Sequence, residues 1–254
     1  MSEHVHVLVE RPDDCPGVLL IRFNRPDKKN AITRDMYATM TNALRSANGD
    51  DTIRAVAFLG SEGCFSAGND MADFLAFAMG GSLGTEVLDF LDALSSAEKP
   101  LVGGVDGLAI GIGTTIQLHC DMTFASPRSL FKTPFVDLAL VPEAGSSLLG
   151  PMIMGHQRAF AMFAAGEGFS AEEARQAGLI WKVVEEHEVD EATLACARSL
   201  AAKPPQALRI ARDLIRKSRH GVKERIAEEA ALFSSQLKSA EARAAFEAFM
   251  TRKK

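Results

Sequence analysis

Residues 101–151 read LVGGVDGLAIGIGTTIQLHCDMTFASPRSLFKTPFVDLALVPEAGSSLLGP, and two places within them depend on backbone rather than side chain. The first, Gly107-Leu108-Ala109-Ile110-Gly111-Ile112-Gly113, ends an apolar run (LVGGV) and opens a helical-looking segment (TTIQLHC). Its three glycines let the backbone bend tightly and let a ligand approach it closely. The second, Val141-Pro142-Glu143-Ala144-Gly145-Ser146-Ser147, is a turn that sets one carboxylate among apolar and small residues. A glycine-lined helix start beside a lone acid points to an anion held by N–H groups and a proton moved by a carboxylate.

Outward from this stretch, strands and helices alternate. Residues 5–10 and 18–23 are aliphatic runs separated by RPDDCPG, the pattern of a hairpin. Residues 24–30 form a loop, after which Thr33 caps a helix with Met36, Tyr37, Met40, Ala43 and Leu44 at helical spacing. Residues 53–59 read as a buried strand. Phe65-Ser66-Ala67-Gly68-Asn69-Asp70 follows as a loop, and residues 86–94 as an amphipathic helix. Residues 122–125 and 129–132 are expected to form a short strand pair. From Gly145 on, the chain is expected to be almost wholly helical, with a capping box at Ser170 and a helix start at Pro204-Pro205. The fold class is α/β. A soft boundary near residues 201–204 divides a core, 1–202, from a C-terminal helical region, 203–254.

Composition narrows the function. The chain has 254 residues, 47% hydrophobic and 24% charged, which suffices for a core that needs no staple. A net charge of −5 argues against nucleic acid as the main partner. No apolar run reaches the roughly 18 residues that span a bilayer, so no membrane partner is expected. The four cysteines are scattered without ligand-like spacing and read as reduced thiols. The expected location is the cytoplasm, and no metal site is expected.

Other motifs carry less. Gly111-Ile112-Gly113 begins a dinucleotide-type pattern, but Ile116 stands where the third glycine belongs. His119 and His156 sit in apolar helices and read as packed or surface residues. Arg209, Arg212, Arg216 and Arg219 share one helix face, which is either solvated or turned to the phosphates of an anionic ligand.

Set side by side, NRPDKKNAI, FSAGND, VDGLAIGIG, FKTPFVDLALVPEAGSS and KPPQALRIARDLI resemble, in order and over most of the chain, the crotonase (enoyl-CoA hydratase/isomerase) superfamily. The resemblance implies a spiral of ββα units with a C-terminal helical region that mediates trimerisation, as a homotrimer or hexamer. It implies an acyl-CoA substrate, with coenzyme A carried by the substrate and no separate cofactor. The thioester oxygen would sit between the N–H groups of Ala67 and Ile112, each such donor being worth about 3 kcal/mol to an enolate. Arg25, Lys28, Lys29, Ala31, Gly68, Asp70, Gly111 and Pro142 would contact substrate, the residue 25–30 loop and Asp70 at the nucleotide end. Phe74, Phe77, Leu88 and Leu91 are either acyl-pocket lining or core.

Hydratases of this family carry two glutamates at positions that read Thr115 and Phe135 here. The sequence is more similar to the Δ3,Δ2-enoyl-CoA isomerase branch, in which one glutamate, at Glu143, transfers the proton. Hydration orients a water and delivers a proton, which suits two carboxylates, whereas a double-bond shift needs only one. Asp137 and Asp70 rank next as bases. The rival readings are a hydratase using Glu143, another acyl-CoA chemistry of the family, and a non-catalytic CoA-ester-binding module. Glu143 itself lies between two influences: a nearby helix start that would lower its pKa, and apolar burial that would raise it.

Overall fold

The computed structural model describes residues 5–73 and 84–252, so Phe74 and Phe77 lie outside the described residues. Strands β1 (Val7–Glu10) and β2 (Val18–Phe23) form the expected hairpin, with Val7 opposite Phe23. Next to β2 lie β3 (Ala55–Leu59), β5 (Leu101–Val105), β7 (Met122–Ala125) and β10 (Lys182–Val183), all parallel. Every residue of β3 and β5 is buried, because both faces of a central parallel strand are covered. That is why AVAFL and LVGGV are continuous runs rather than alternating ones.

A second sheet holds β4 (Cys64–Ser66), β6 (Leu108–Ile110), β8 (Leu130–Lys132) and β9 (Phe169–Ser170). The chain passes from the first sheet to the second three times, from β3 to β4, β5 to β6 and β7 to β8. This is the spiral of paired strands. It corrects three expectations. Residues 122–125 and 129–132 do not pair with each other but enter different sheets. The stretches around Phe65 and Ala109, read as loops, carry three-residue strands. After Gly145 the chain is not all helix, since β9 and β10 close one edge of each sheet. At the crossing before β6, Gly107 has φ +80°, and a Cβ there would stand 1.9 Å from the Gly63 carbonyl oxygen. No side chain fits that crossing.

Helix α1 (Arg34–Gly49) starts where the Thr33 hydroxyl accepts the Met36 N–H, and buries Met36, Tyr37, Met40 and Leu44 against α2 (Glu86–Ser95). Burial of Met36, Met40 and Leu44 contributes roughly 1.5–3 kcal/mol each. Helix α3 (Ile112–Thr115) is a single turn after β6. Then come α4 (Ser146–Met154), α5 (His156–Phe163) and α6 (Ala171–Gln176), the last with the reciprocal Ser170–Glu173 capping box. Helix α7 (Val189–Ala201) covers the first sheet, packing Ala197 and Ala201 with Val18, Leu20, Ala57 and Val102. Leu91 belongs to the main core, while Leu88, 48% exposed, lies in a groove beside Lys223 and Ile226.

The last three helices are α8 (Pro205–Arg216), α9 (Val222–Leu237) and α10 (Ala240–Arg252). Of the arginine series on and just after α8, Arg209 is exposed, whereas Arg212, Arg216 and Arg219 turn inward to protein partners. Arg212 Nε donates to Asp121 Oδ2 (2.8 Å) and its Nη1 to the Ala97 carbonyl (2.7 Å). Arg216 faces Asp121 and the His119 carbonyl, and Arg219 donates to the Leu118 carbonyl. These side chains cap the carbonyl ends that the core leaves open beside β5 and β7. Further on, Leu237, Ala242 and Phe246 pack on Leu140, with Met71 and Leu138 against them. No helix among the described residues is long and apolar enough to cross a membrane.

Candidate active site

A cleft of about 940 Å³ opens between the residue 25–32 loop, the residue 67–71 loop, β8 and α10. Lys28, Lys29 and Lys132 bring three ammonium groups to its wall, and Ala31, Ile110, Pro134 and Leu138 supply apolar surface. Ala245 and Ala248 of α10 close one side. Of the expected substrate contacts, Lys28, Lys29, Ala31, Ala67 and Asp70 line this cleft. Arg25 instead pairs with Asp70 at 2.6 Å and donates to the Ala31 carbonyl at 2.9 Å. It braces two loops against each other rather than offering a free charge. Burial pushes the Asp70 carboxyl up, but the bonds from Arg25 and the Ala72 N–H outweigh it and hold the pKa below its ordinary value.

The residue 67–70 loop runs beside residues 29–32 as a one-residue parallel bridge between Ile32 and Asn69. The Ala67 N–H donates to the Lys29 carbonyl (2.9 Å), and the Ile32 N–H to the Gly68 carbonyl (2.8 Å). The Asp70 N–H donates to the Ile32 carbonyl (2.9 Å), and the Gly68 N–H to Ser66 Oγ (3.1 Å). In a parallel bridge the central residue turns its own N–H to the opposite side. Asn69 is that residue, and its N–H has no acceptor among the described residues. The expected assignment of Ala67 is therefore corrected: its N–H is already committed, and the free donor of this loop is Asn69.

The other expected donor is Ile112. Ile112 opens α3, and its N–H has no acceptor among the described residues. The Gly111 carbonyl, in the same peptide unit, accepts from Thr114 and Thr115 (2.9 and 3.0 Å), just as the Gly68 carbonyl accepts from Ile32. A bond at the carbonyl polarises the N–H of that unit. The two loops touch, since a Cβ on Gly68 (φ +89°) would lie 3.0 Å from the Ile110 carbonyl oxygen.

Glu143 lies in the turn before α4, where Ala144 (φ +60°) and Gly145 (φ +71°) are both left-handed; Pro142, half-buried, leads in. The Glu143 residue is only 8% exposed, and its Oε1 accepts from Thr115 Oγ1 at 2.6 Å. Burial raises its pKa to about 8, the Thr115 bond opposes this, and the charge of Glu229 adds to it. Of the two influences legible in the sequence, burial wins. Phe135, at the other hydratase position, is a core residue whose ring lies 6.5 Å from that of Phe163. Asp137 is exposed at the cleft wall, beside Lys132 (3.8 Å).

Four residues escaped the sequence reading. Tyr37, the sole tyrosine, donates from a buried hydroxyl to Asn69 Oδ1 (2.5 Å). Its place in the apolar stripe of α1 hid this, although a tyrosine where phenylalanine would serve is a signal that the hydroxyl has a partner. Asn69, Lys132 and Glu229 carry no local signal. His119 is buried, with Nε2 2.7 Å from the Ala144 carbonyl oxygen, and burial lowers its pKa to about 4. A carbonyl only accepts, so the neutral ring carries its proton on Nε2. Among the described residues, no three His, Cys, Asp or Glu side chains gather as a metal site would require.

Known proteins resemble this chain in sequence and in fold. Enoyl-CoA delta isomerase 2 of Rattus norvegicus is 38% identical over 247 residues, covering 93% of this chain. The chain spans 62% of that relative's own length. Enoyl-CoA delta isomerase 3, peroxisomal, of Mus musculus is 36% identical over 222 residues, covering 85% of this chain and 68% of the relative. The structure of Pseudomonas aeruginosa OdaA superposes with a TM-score of 0.91 at 40% identity, over 96% of this chain and 98% of that one. The sequence model of the family described as Enoyl-CoA hydratase/isomerase matches residues 14–254. Its ββα spiral, its glycine loops and this match together make the chain a member of the enoyl-CoA hydratase/isomerase family, and an enzyme.

Proposed function

We propose that the enzyme shifts the double bond of an unsaturated fatty acyl-CoA from the 3-enoyl to the 2-enoyl position, with Glu143 as its one acid–base group. The observation that carries this reading is the buried carboxylate of Glu143, raised in pKa and held by Thr115 where a hydratase has a second glutamate. Lys28, Lys29 and Lys132 face the phosphates of CoA, as point charges on flexible stems. The thioester oxygen accepts from the N–H groups of Asn69 and Ile112.

Ionised Glu143 removes a proton from C2, and the C–H electron pair moves into the carbonyl to give an enolate. The two N–H groups meet the charge that develops on that oxygen, which is where such donors lower a barrier most. Thr115 occupies Oε1, so the other carboxyl oxygen carries the proton. Its return to C4 moves the double bond to C2–C3. Proton and electrons balance within the substrate, so no further cofactor enters.

A panel of 3-enoyl-CoA and 2-enoyl-CoA esters, with products identified by mass and ultraviolet absorbance, tests this. Isomerisation should far outpace hydration; faster hydration would replace the reading with a hydratase that uses Glu143. Assembly as a trimer belongs to the same proposal. Helix α8 exposes Ile210, Leu214 and Ile215 (49, 64 and 79%), an apolar face that a second copy would cover. Sedimentation as a monomer at micromolar concentration would contradict that part.

A further inference from the structure

The turn that carries Glu143 is held from outside itself. Two consecutive left-handed residues, one of them an alanine, persist only where the surroundings fix them. Two buried side chains do so. His119 Nε2 donates to the Ala144 carbonyl (2.7 Å). Glu229, on α9, accepts the Gly145 N–H (2.6 Å), the Ser147 N–H (2.9 Å) and the Ser147 hydroxyl (2.5 Å). Arg225 Nη1, also on α9, donates to that same hydroxyl (3.1 Å).

A helix N-terminus attracts a carboxylate, and Glu143 is the acid nearest to that of α4 in sequence. It is not the one found there. The anion place is filled by Glu229, 4% exposed, while Glu143 turns to Thr115.

We propose that Glu229 is a positioning residue for the base: by occupying the N-terminus of α4 it keeps Glu143 from capping that helix and holds the turn on which Glu143 projects. The C-terminal helical region thus takes part in catalysis without touching substrate. This rests on the reading of Glu143 as the base. The titratable and charged groups that face the turn are Tyr37 of α1, His119 after α3, and Arg225 and Glu229 of α9. Tyr37 stays protonated, since burial first and then the charge of Glu143 raise its pKa well above the usual value, and His119 stays neutral. Glu229 is therefore the negative charge that Glu143 senses, and it opposes ionisation of Glu143.

Glu229→Gln keeps the size of the side chain but removes the charge and one acceptor, and it frees the helix end to attract Glu143. In the purified enzyme the acid limb of the kcat/KM profile should move to lower pH by about half a unit or more. At the same time kcat should fall about five-fold, with KM within about two-fold of wild type. The limb reports the lost charge and kcat the lost positioning: a merely structural cap would lower the yield of folded enzyme and leave the kcat of the folded fraction in place. Ser147→Ala removes the hydroxyl and no charge, and should lower kcat about two-fold or more without moving the limb.

A wild-type limb and kcat in a folded Glu229→Gln enzyme would overturn the proposal. If that variant does not fold, a wild-type kcat in Ser147→Ala overturns it and a reduced one supports it. Glu143→Gln run in parallel separates the two levels. If it is active, the base is misassigned; if it is inactive while Glu229→Gln behaves as wild type, only the positioning role fails.

Discussion

Thr115 and Glu143, 28 residues apart in sequence, meet through one hydrogen bond of 2.6 Å inside a site from which water is nearly excluded. That bond is the counterweight to burial. Desolvation drives the Glu143 pKa up, and the Thr115 hydroxyl draws it back towards the carboxylate range. Thr115→Val keeps the shape and removes the donor. The acid limb of kcat/KM should then move to higher pH, opposite to the Glu229→Gln shift, with kcat about ten-fold lower. A pH–rate series on both variants checks the signs.

Glu143→Gln should reduce isomerisation by about 10² or more while leaving acyl-CoA affinity little changed. It should also alter the dependence of stability on pH. The folded pKa of Glu143, about 8, lies above the ordinary value of 4.5 that it takes in the unfolded chain. Between those values the native state keeps a proton that the unfolded state has lost, so wild-type stability falls as pH rises through this window. Below it the group has no effect; above it the full penalty applies, on the order of 3–5 kcal/mol. Glu143→Gln has no such proton to lose. Denaturant melts at pH 5 and pH 8.5 should show the variant gaining on wild type at the higher pH.

The donor assigned to Asn69 belongs to its backbone, so side-chain and backbone changes should separate. Asn69→Pro deletes the N–H and should cut kcat by about 10²–10³. Asn69→Ala keeps it, losing only the Tyr37 contact, and should cost less than about ten-fold. Ala67→Pro breaks the bond to Lys29, beside the lysines of the cleft, and should raise KM more than it lowers kcat. Steady-state kinetics on variants shown to be folded by circular dichroism decide the matter.

Asp121 accepts from Arg212 and from the Leu101 N–H, and the Arg212 side chain is only 6% exposed. Asp121→Ala would leave a guanidinium buried without its counter-charge, at a cost of about 3–5 kcal/mol. Urea unfolding should show that loss, while the folded fraction keeps its isomerisation rate per site.

The sequence was informative where chemistry follows local order. The hairpin, the Thr33 cap, the buried runs of β3 and β5 and the capping box at Ser170 all declare themselves within a few residues. Strands β4 and β6 have three residues each, too short for any period to show, and β7 and β8 adjoin in sequence yet serve different sheets. The motifs point to Glu143 and Ile112 as candidate acid and donor, because the family's order of loops includes both positions. What became of the other polar groups was decided by partners distant in sequence. Lys29 takes the N–H of Ala67, Asp70 takes Arg25, and Asp121 takes Arg212. Glu229 takes the helix end that Glu143 would otherwise cap. A motif points to a candidate loop and a candidate acid, since those are properties of a few consecutive residues. Which N–H stays free, and whether an acid is paired, capping or buried and basic, depends on what the rest of the chain brings against it, and only the tertiary structure decides that.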